Sequence, residues 1–214
     1  MKENELKIYT QLMKTRFMED PGVMFQINGL ERAGLLVDLQ FEGQIQAFDR
    51  QNAVRVLNDG KGLLIGYSTE ELPEEKLFEM LQQSAQKLLK TATEDELQWL
   101  QNKAVQESEI IPQNWHLKYF DGDVYHLLTI AIDKSLKGMG AFRELIMPVI
   151  QVCENKKLPI VLETFNPENV LLYEHFGFKL MESHPSETMN LTCFCLMRWR
   201  LEDHTIAVIT SSIQ

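Results

Sequence analysis

The sequence contains no apolar run of the ~18 residues that a membrane-spanning helix requires, so no membrane span is expected. It has only three cysteines, Cys153, Cys193 and Cys195. An odd number, with no secretory signal, argues against a disulfide framework. Cys193 and Cys195 alternate with Phe194 and Leu196, which predicts two thiols on one face of a strand, buried as core residues. The pair brings too few soft ligands near it for a metal site. Positive charge is also scarce. Lys and Arg number 21 against 31 Asp and Glu, for a net charge of −10. Without a basic stripe the chain does not read as a nucleic-acid binder. An acidic surface favours a cationic small substrate such as an amine, or serves solubility alone. Internal repeats and low-complexity tracts are absent.

What remains is an ordinary soluble balance, 44% hydrophobic and 24% charged, in 214 residues, enough for one domain with a substantial core. The N-terminus, Met1-Lys2-Glu3-Asn4-Glu5, is polar and lacks the apolar core of a signal peptide, so a cytoplasmic protein is expected.

Leu6, Tyr9, Leu12, Met13 and Phe17 recur at helical spacing and predict a helix that stops before Asp20-Pro21. Leu30, Ala33, Val37, Phe41, Ile45 and Phe48 predict a second. Ala53 to Leu57 and Leu63 to Tyr67, separated by Asn58-Asp59-Gly60-Lys61-Gly62, read as a hairpin. Two helices should follow. Leu77, Leu81, Leu88 and Leu89 mark the apolar face of the first, and Thr93 with Glu96 forms a capping box for the second, near residues 94 to 107. Next come a strand from Val124 to Ile132 and a helix carrying Leu145, Val149, Val152 and Cys153. Then follow a strand from Ile160 to Phe165, a short helix from Asn166-Pro167 to Gly177, and a final strand pair, Phe178 to Met181 and Leu191 to Trp199. The strand-helix-strand order implies a parallel pair within a mixed sheet. The tail from Leu201 to Gln214 either adds a last strand at residues 205 to 209 or trails off.

The informative stretch runs from Ile130 through Ala131, Ile132, Lys137, Gly138, Met139, Gly140 and Ala141 to Phe142. A buried strand leads through a glycine-containing loop into a helix. The first amides of that helix lack intrahelical partners, and its dipole favours an anion, as does Lys137. By itself this pattern also fits an ordinary strand-to-helix turn. One crossover helix later stands Leu162-Glu163-Thr164-Phe165-Asn166-Pro167-Glu168-Asn169-Val170-Leu171-Leu172-Tyr173-Glu174-His175-Phe176-Gly177-Phe178.

Together the two segments resemble the GNAT acyltransferase superfamily. More narrowly they resemble its puromycin N-acetyltransferase-like branch, through Leu162-Glu163-Thr164, Asn169 and Leu172-Tyr173-Glu174 leading into Gly177-Phe178. Pro148 in the crossover helix fits as well, and Phe17-Met18-Glu19-Asp20-Pro21 agrees loosely. The strong resemblance covers roughly a third of the chain.

The resemblance implies an α/β fold with a mixed, mostly antiparallel sheet, a splayed parallel strand pair and flanking helices, and residues 1–214 as one acyltransferase domain. It implies acetyl-CoA as cosubstrate, no metal, and transfer of a short acyl group to a small-molecule amine by direct attack in a ternary complex. The backbone near Ile130, Ala131 and Ile132 would bind the pantetheine arm, and the loop from Lys137 to Phe142 the pyrophosphate. That loop usually reads Gln or Arg, two residues, Gly, one residue, Gly or Ala. Here those places hold Lys137, Gly140 and Phe142, and the ring of Phe142 is expected to turn from the loop and pack on the crossover helix. Tyr173 stands where the family has a proton donor to the departing thiolate, or is a packing aromatic. Glu163 is either a base toward the amine or a structural hydrogen-bond acceptor. Asn166 and Asn169 would contact cofactor or cap the short helix. His126 and His175 have no partner at metal-ligand spacing and read as core or rim residues. Other readings are a non-catalytic acyl-CoA sensor, motivated by Phe142, and an interaction protein using the helices between Glu70 and Glu107. A homodimer is compatible with the sequence; nucleic-acid and membrane partners are not expected.

Overall fold

A computed structural model describes residues 1–57 and 59–199, in which the chain forms eight α-helices and six strands. The helices are α1 (Glu3–Phe17), α2 (Pro21–Ile27), α3 (Ala33–Asp49), α4 (Glu74–Ser84), α5 (Gln86–Thr91), α6 (Glu94–Ser108), α7 (Ala141–Lys156) and α8 (Pro167–His175). The strands are β1 (Val54–Val56), β2 (Gly62–Ser68), β3 (Tyr125–Ile132), β4 (Ile160–Thr164), β5 (Lys179–Ser186) and β6 (Leu191–Arg198). They form one sheet in the order β1-β2-β3-β4-β6-β5, in which β3 and β4 are parallel and the other neighbours antiparallel. The mixed α/β architecture is the one the sequence implied. The candidate strand at 205 to 209 lies outside the described residues.

Alternation along the strands sends neighbouring side chains to opposite faces. On one face Leu63, Ile65 and Ala131 meet Tyr9, Met13, Ile45 and Phe48 of α1 and α3. On the other, Leu64, Leu127, Leu162 and Leu196 meet Ile146, Val149 and Ile150 of α7 and Tyr173 of α8. A third cluster gathers Trp115, Val124, Val161, Cys193, Cys195 and Met197. All three cysteines are free and buried, as their alternation and surroundings suggest. Each fully buried aliphatic side chain contributes about 1.5–3 kcal/mol relative to exposure.

Three differences from the sequence expectations have local causes. First, α2 was not anticipated. Asp20-Pro21 does end α1, but Asp20 then caps a new helix, its carboxylate accepting from the amides of Gly22 and Val23 at 3.0 and 3.4 Å, with Pro21 in the first turn. Second, the face through Leu77, Leu81, Leu88 and Leu89 is not one face. The helix breaks at Ala85, Leu81 and Leu89 are exposed, and Met80 is the residue α4 buries. Third, Val152 of α7 faces solvent, while Ile146 and Ile150 take the core side with Leu145, Val149 and Cys153. The capping box at Thr93 and Glu96 is present in both directions, and α3 begins at Ala33, after Leu30.

Candidate active site

The strands β3 and β4 separate. They are in register only at Tyr125 with Ile160 and His126 with Val161, after which β3 keeps β2 as its strand partner. Between Ile65 and Gly66 the β2–β3 register shifts, which leaves Leu128 as an extra residue on β3. Such a bulge increases local twist and turns the strand away from its neighbour. Beyond it, Ala131 pairs with Leu63, and the amide of Asp133 donates to the Lys61 carbonyl at 2.8 Å. In an antiparallel ladder, alternate residues exchange both backbone bonds with one neighbour. Ala131 and Asp133 therefore direct their backbone to β2, and Ile130 and Ile132 direct theirs into the gap beside β4.

At the end of β3, a short 3-10 turn over Lys134–Leu136 leads into the glycine loop. Gly138 and Gly140 have φ of +77° and +82°, and a Cβ at either would meet nothing within 4 Å. The left-handed backbone is what selects glycine here, and it leaves open space over the loop. Glu144 is the first amide bonded within α7, to the Gly140 carbonyl at 3.0 Å. The amides of Ala141, Phe142 and Arg143 are thus without an intrahelical acceptor. Lys137 and Met139 are exposed on the same loop. The Phe142 ring packs on Tyr173 of α8 and on Phe176 just beyond it. It lies 4.9 Å from the Phe176 ring and 5.7 Å from that of Tyr173, centroid to centroid. The open cradle, free amides and nearby cation fit a pyrophosphate, and the free backbone at Ile130 and Ile132 fits an extended amide-bearing arm.

Tyr173 sits on α8, buried between Phe142 and Phe178. Burial pushes its phenol above the ordinary tyrosine value, so it is protonated at neutral pH. Asn166 caps α8, accepting from the Glu168 amide at 3.0 Å, and Asn169 donates to the Thr164 hydroxyl at 3.0 Å. Both asparagines therefore secure the junction between β4 and α8. The turn between α1 and α2 reaches the ends of both strands that border the gap. Glu19 pairs with Lys134 at 2.7 Å, and Gly22 packs so closely on Phe165 that a Cβ would stand 2.5 Å from the ring.

Glu163 follows Leu162 on β4 and points to the opposite face, away from Tyr173's cluster. One carboxylate oxygen accepts from the Trp115 indole, and the other lies 2.6 Å from His126 Nε2. His126 Nδ1 is 3.3 Å from the Tyr67 hydroxyl. Burial acts to raise the Glu163 carboxyl, but the charge and hydrogen bond of His126, the Trp115 bond and nearby His116 outweigh it and hold the group below its usual value. For His126, burial acts downward, and the Glu163 charge and hydrogen bond overcome it and raise the imidazole. Both directions favour the proton on His126 and none on Glu163.

This Tyr67–His126–Glu163–Trp115 chain was missed from sequence, where His126 read as a core or rim residue. Its partner is 37 positions away, and only the β3–β4 pairing joins them. The available signal was an imidazole in one largely apolar strand and a carboxylate in another. His175 is exposed on α8, its ring 5.3 Å from that of Phe176. Among the described residues no group of three or more His, Cys, Asp or Glu is placed to hold a metal ion. Nor is any helix among them long and apolar enough to cross a membrane.

No protein-family model matches the chain. A stretch of 67 residues, 31% of this chain, is 36% identical to an uncharacterised N-acetyltransferase of Schizosaccharomyces pombe. The match spans 27% of that protein's length, about a quarter of it. Two solved structures superpose over nearly the whole chain. One is a histone acetyltransferase HPA2 and related acetyltransferase from Corynebacterium glutamicum, with TM-score 0.59, 15% identity, and 94% of each chain covered. Another is arylalkylamine N-acetyltransferase 2 from Aedes aegypti, with TM-score 0.60, 11% identity, and 93% of this chain and 96% of that one covered. The chain thus has the GNAT acetyltransferase fold that its two sequence segments resemble. The narrower likeness to the puromycin N-acetyltransferase-like branch rests on those segments alone.

Proposed function

We propose that residues 1–214 act as one acyl-CoA-dependent N-acyltransferase domain, moving an acetyl or short acyl group from acetyl-CoA to the amine of a small molecule. The observation that carries this reading is the open edge of β3 beside a glycine loop whose helix presents free amides. The pantetheine arm would add to β3 at Ile130 and Ile132, passing Ala131. The pyrophosphate would lie over Gly138, Met139 and Gly140 against the amides of Ala141 and Phe142, with Lys137 beside it. The amine would enter from the side of the α1–α2 turn and attack the thioester directly in a ternary complex. The C–S electron pair leaves with sulfur, and Tyr173 donates a proton to it. A thiol's reference pKa of about 8.5 makes the thiolate a fair leaving group, so this donation assists a step that is already feasible.

The net charge of −10 supports a cationic acceptor, and the similarity in fold to an arylalkylamine N-acetyltransferase supports a small amine. Three free cysteines are in keeping with a reducing, cytoplasmic setting. The alternative of a non-catalytic sensor drew on Phe142 as an obstruction, and its ring packs on Tyr173 and Phe176 instead.

Thermal unfolding with acetyl-CoA and with free CoA tests the cofactor half of the proposal. A ligand at ~100 times its Kd stabilises the folded state by about 2.7 kcal/mol, so both should raise Tm clearly. No shift with either would remove the basis for an acyl-CoA enzyme.

A further inference from the structure

On the face of the sheet opposite Tyr173, three adjacent strands each place one polar side chain in a row: Tyr67 on β2, His126 on β3 and Glu163 on β4. The row stands where β3 and β4 still touch, at the closed end of their gap. A quarter of the His126 side chain and a fifth of that of Glu163 remain accessible to solvent, so the pair is not sealed in the core. A carboxylate can only accept, so neutral His126 must place its ring proton on Nε2, toward Glu163. That leaves the Nδ1 lone pair free to receive a proton. Its present neighbour, the Tyr67 hydroxyl at 3.3 Å, makes a long contact that an entering donor can replace.

We propose that His126 is the base of the acyl transfer, taking at Nδ1 the proton that the amine sheds, and that Glu163 is its positioning residue. This rests on the N-acyltransferase reading above. As the N–C bond forms, the amine proton passes to Nδ1 and the C–S bond breaks with its electron pair on sulfur, which takes the Tyr173 proton. His126 then returns its proton to solvent, and Tyr173 is reprotonated from it. The imidazolium formed is held at 2.6 Å from the Glu163 carboxylate, with the Trp115 indole fixing the other oxygen.

The groups facing His126 are Tyr67 from β2, Glu163 from β4 and His116 from the 3-10 turn Trp115–Lys118, with the charge of Glu74 acting on Tyr67. The Glu163 charge keeps the imidazole above its ordinary value, so His126 is protonated and idle as a base at low pH. Activity should therefore rise with pH through an apparent pKa above the reference histidine value of ~6.5. Replacing Glu163 by glutamine removes that charge and leaves burial, which acts downward, so the limb should move to lower pH.

The experiment measures kcat/KM against pH for an arylalkylamine acceptor at saturating acetyl-CoA, in the parent, His126→Gln and Glu163→Gln, with acetyl-CoA affinity by calorimetry. The ring of His126 is followed by NMR in the parent and Glu163→Gln. His126→Gln should lose about 10²- to 10⁴-fold in turnover while keeping its acetyl-CoA affinity. The acid limb of the parent should coincide with the His126 titration, and both should move down together in Glu163→Gln. Parent-like turnover in His126→Gln would overturn the assignment, as would a limb that stays in place when His126's titration moves. If His126→Gln fails to fold, the Glu163→Gln limb and titration decide alone. A parent that binds acetyl-CoA but acylates no amine would overturn the underlying reading and this inference together. An active parent with an indifferent His126 would overturn only the inference.

Discussion

Gly140 is the position where local backbone and cofactor binding are most directly joined. Its φ of +82° lies in the left-handed region, and nothing stands within 4 Å of where a Cβ would project. A substituted side chain therefore meets no protein atom. It costs the free protein only the left-handed backbone, about 1–2 kcal/mol for an L-residue. Gly140→Ala should carry that cost and the β-branched Gly140→Val somewhat more, which urea denaturation reads as a lower midpoint at an unchanged slope. The two differ in what they place over the amides of Ala141 and Phe142. Valine's branches would fill the space a pyrophosphate needs, and alanine's methyl far less of it. Calorimetry with acetyl-CoA should show Gly140→Val weakened by at least about tenfold, or ~1.4 kcal/mol, with Gly140→Ala between it and the parent. Parent-like affinity in Gly140→Val would mean that the pyrophosphate lies elsewhere. Equal losses in the two variants would mean that backbone strain, and not occupied space, governs binding.

Other substitutions separate chemistry from packing. Tyr173→Phe keeps the ring between Phe142 and Phe178 and should lower turnover by about 10²-fold, the low end for a proton donor, with acetyl-CoA affinity unchanged in calorimetry; a collapse in affinity with intact turnover would make Tyr173 a binding residue. Phe142→Ala removes the ring that links α7 to Tyr173 and Phe176, and should cost about 2–4 kcal/mol in urea unfolding, because this ring is only partly buried; a loss under ~1 kcal/mol would show that the cluster does not depend on it. At Gly43 of α3 a Cβ would stand 2.2 Å from the Ser84 carbonyl oxygen, a backbone atom. Gly43→Ala should therefore force α3 and the end of α4 apart and cost about 1–3 kcal/mol, with an unchanged midpoint as the contrary result.

Much of the fold could be read from local patterns. The β1–β2 hairpin announced itself through its turn residues, α6 through the Thr93–Glu96 capping box, and the β3–α7–β4 crossover through the order of apolar runs. The helix α2 was just as legible in principle, since Asp20-Pro21 ends one helix and begins the next with the same two residues. The face of α4 and α5 was not, because the break at Ala85 resets the helical phase without a proline or glycine to mark it. At the candidate site, the segments from Ile130 to Phe142 and from Leu162 to Phe178 supplied the glycine loop and Tyr173, because their meaning depends on neighbours in sequence. The His126–Glu163 pair depends on which strands lie side by side and how far their register runs, and on an indole from a separate turn. No spacing rule along the chain encodes that.

Acyl transfer itself gives the most direct test. The intact protein is incubated with acetyl-CoA and a panel of small primary amines, arylalkylamines and cationic diamines among them. Released CoA thiol and the N-acetyl product are measured together against a protein-free control. An N-acyltransferase should release one thiol for each amide formed on at least one amine, and do so faster as pH rises from weakly acidic to weakly alkaline. Tight acetyl-CoA binding with no amide on any amine would contradict catalysis and leave a binding protein in its place.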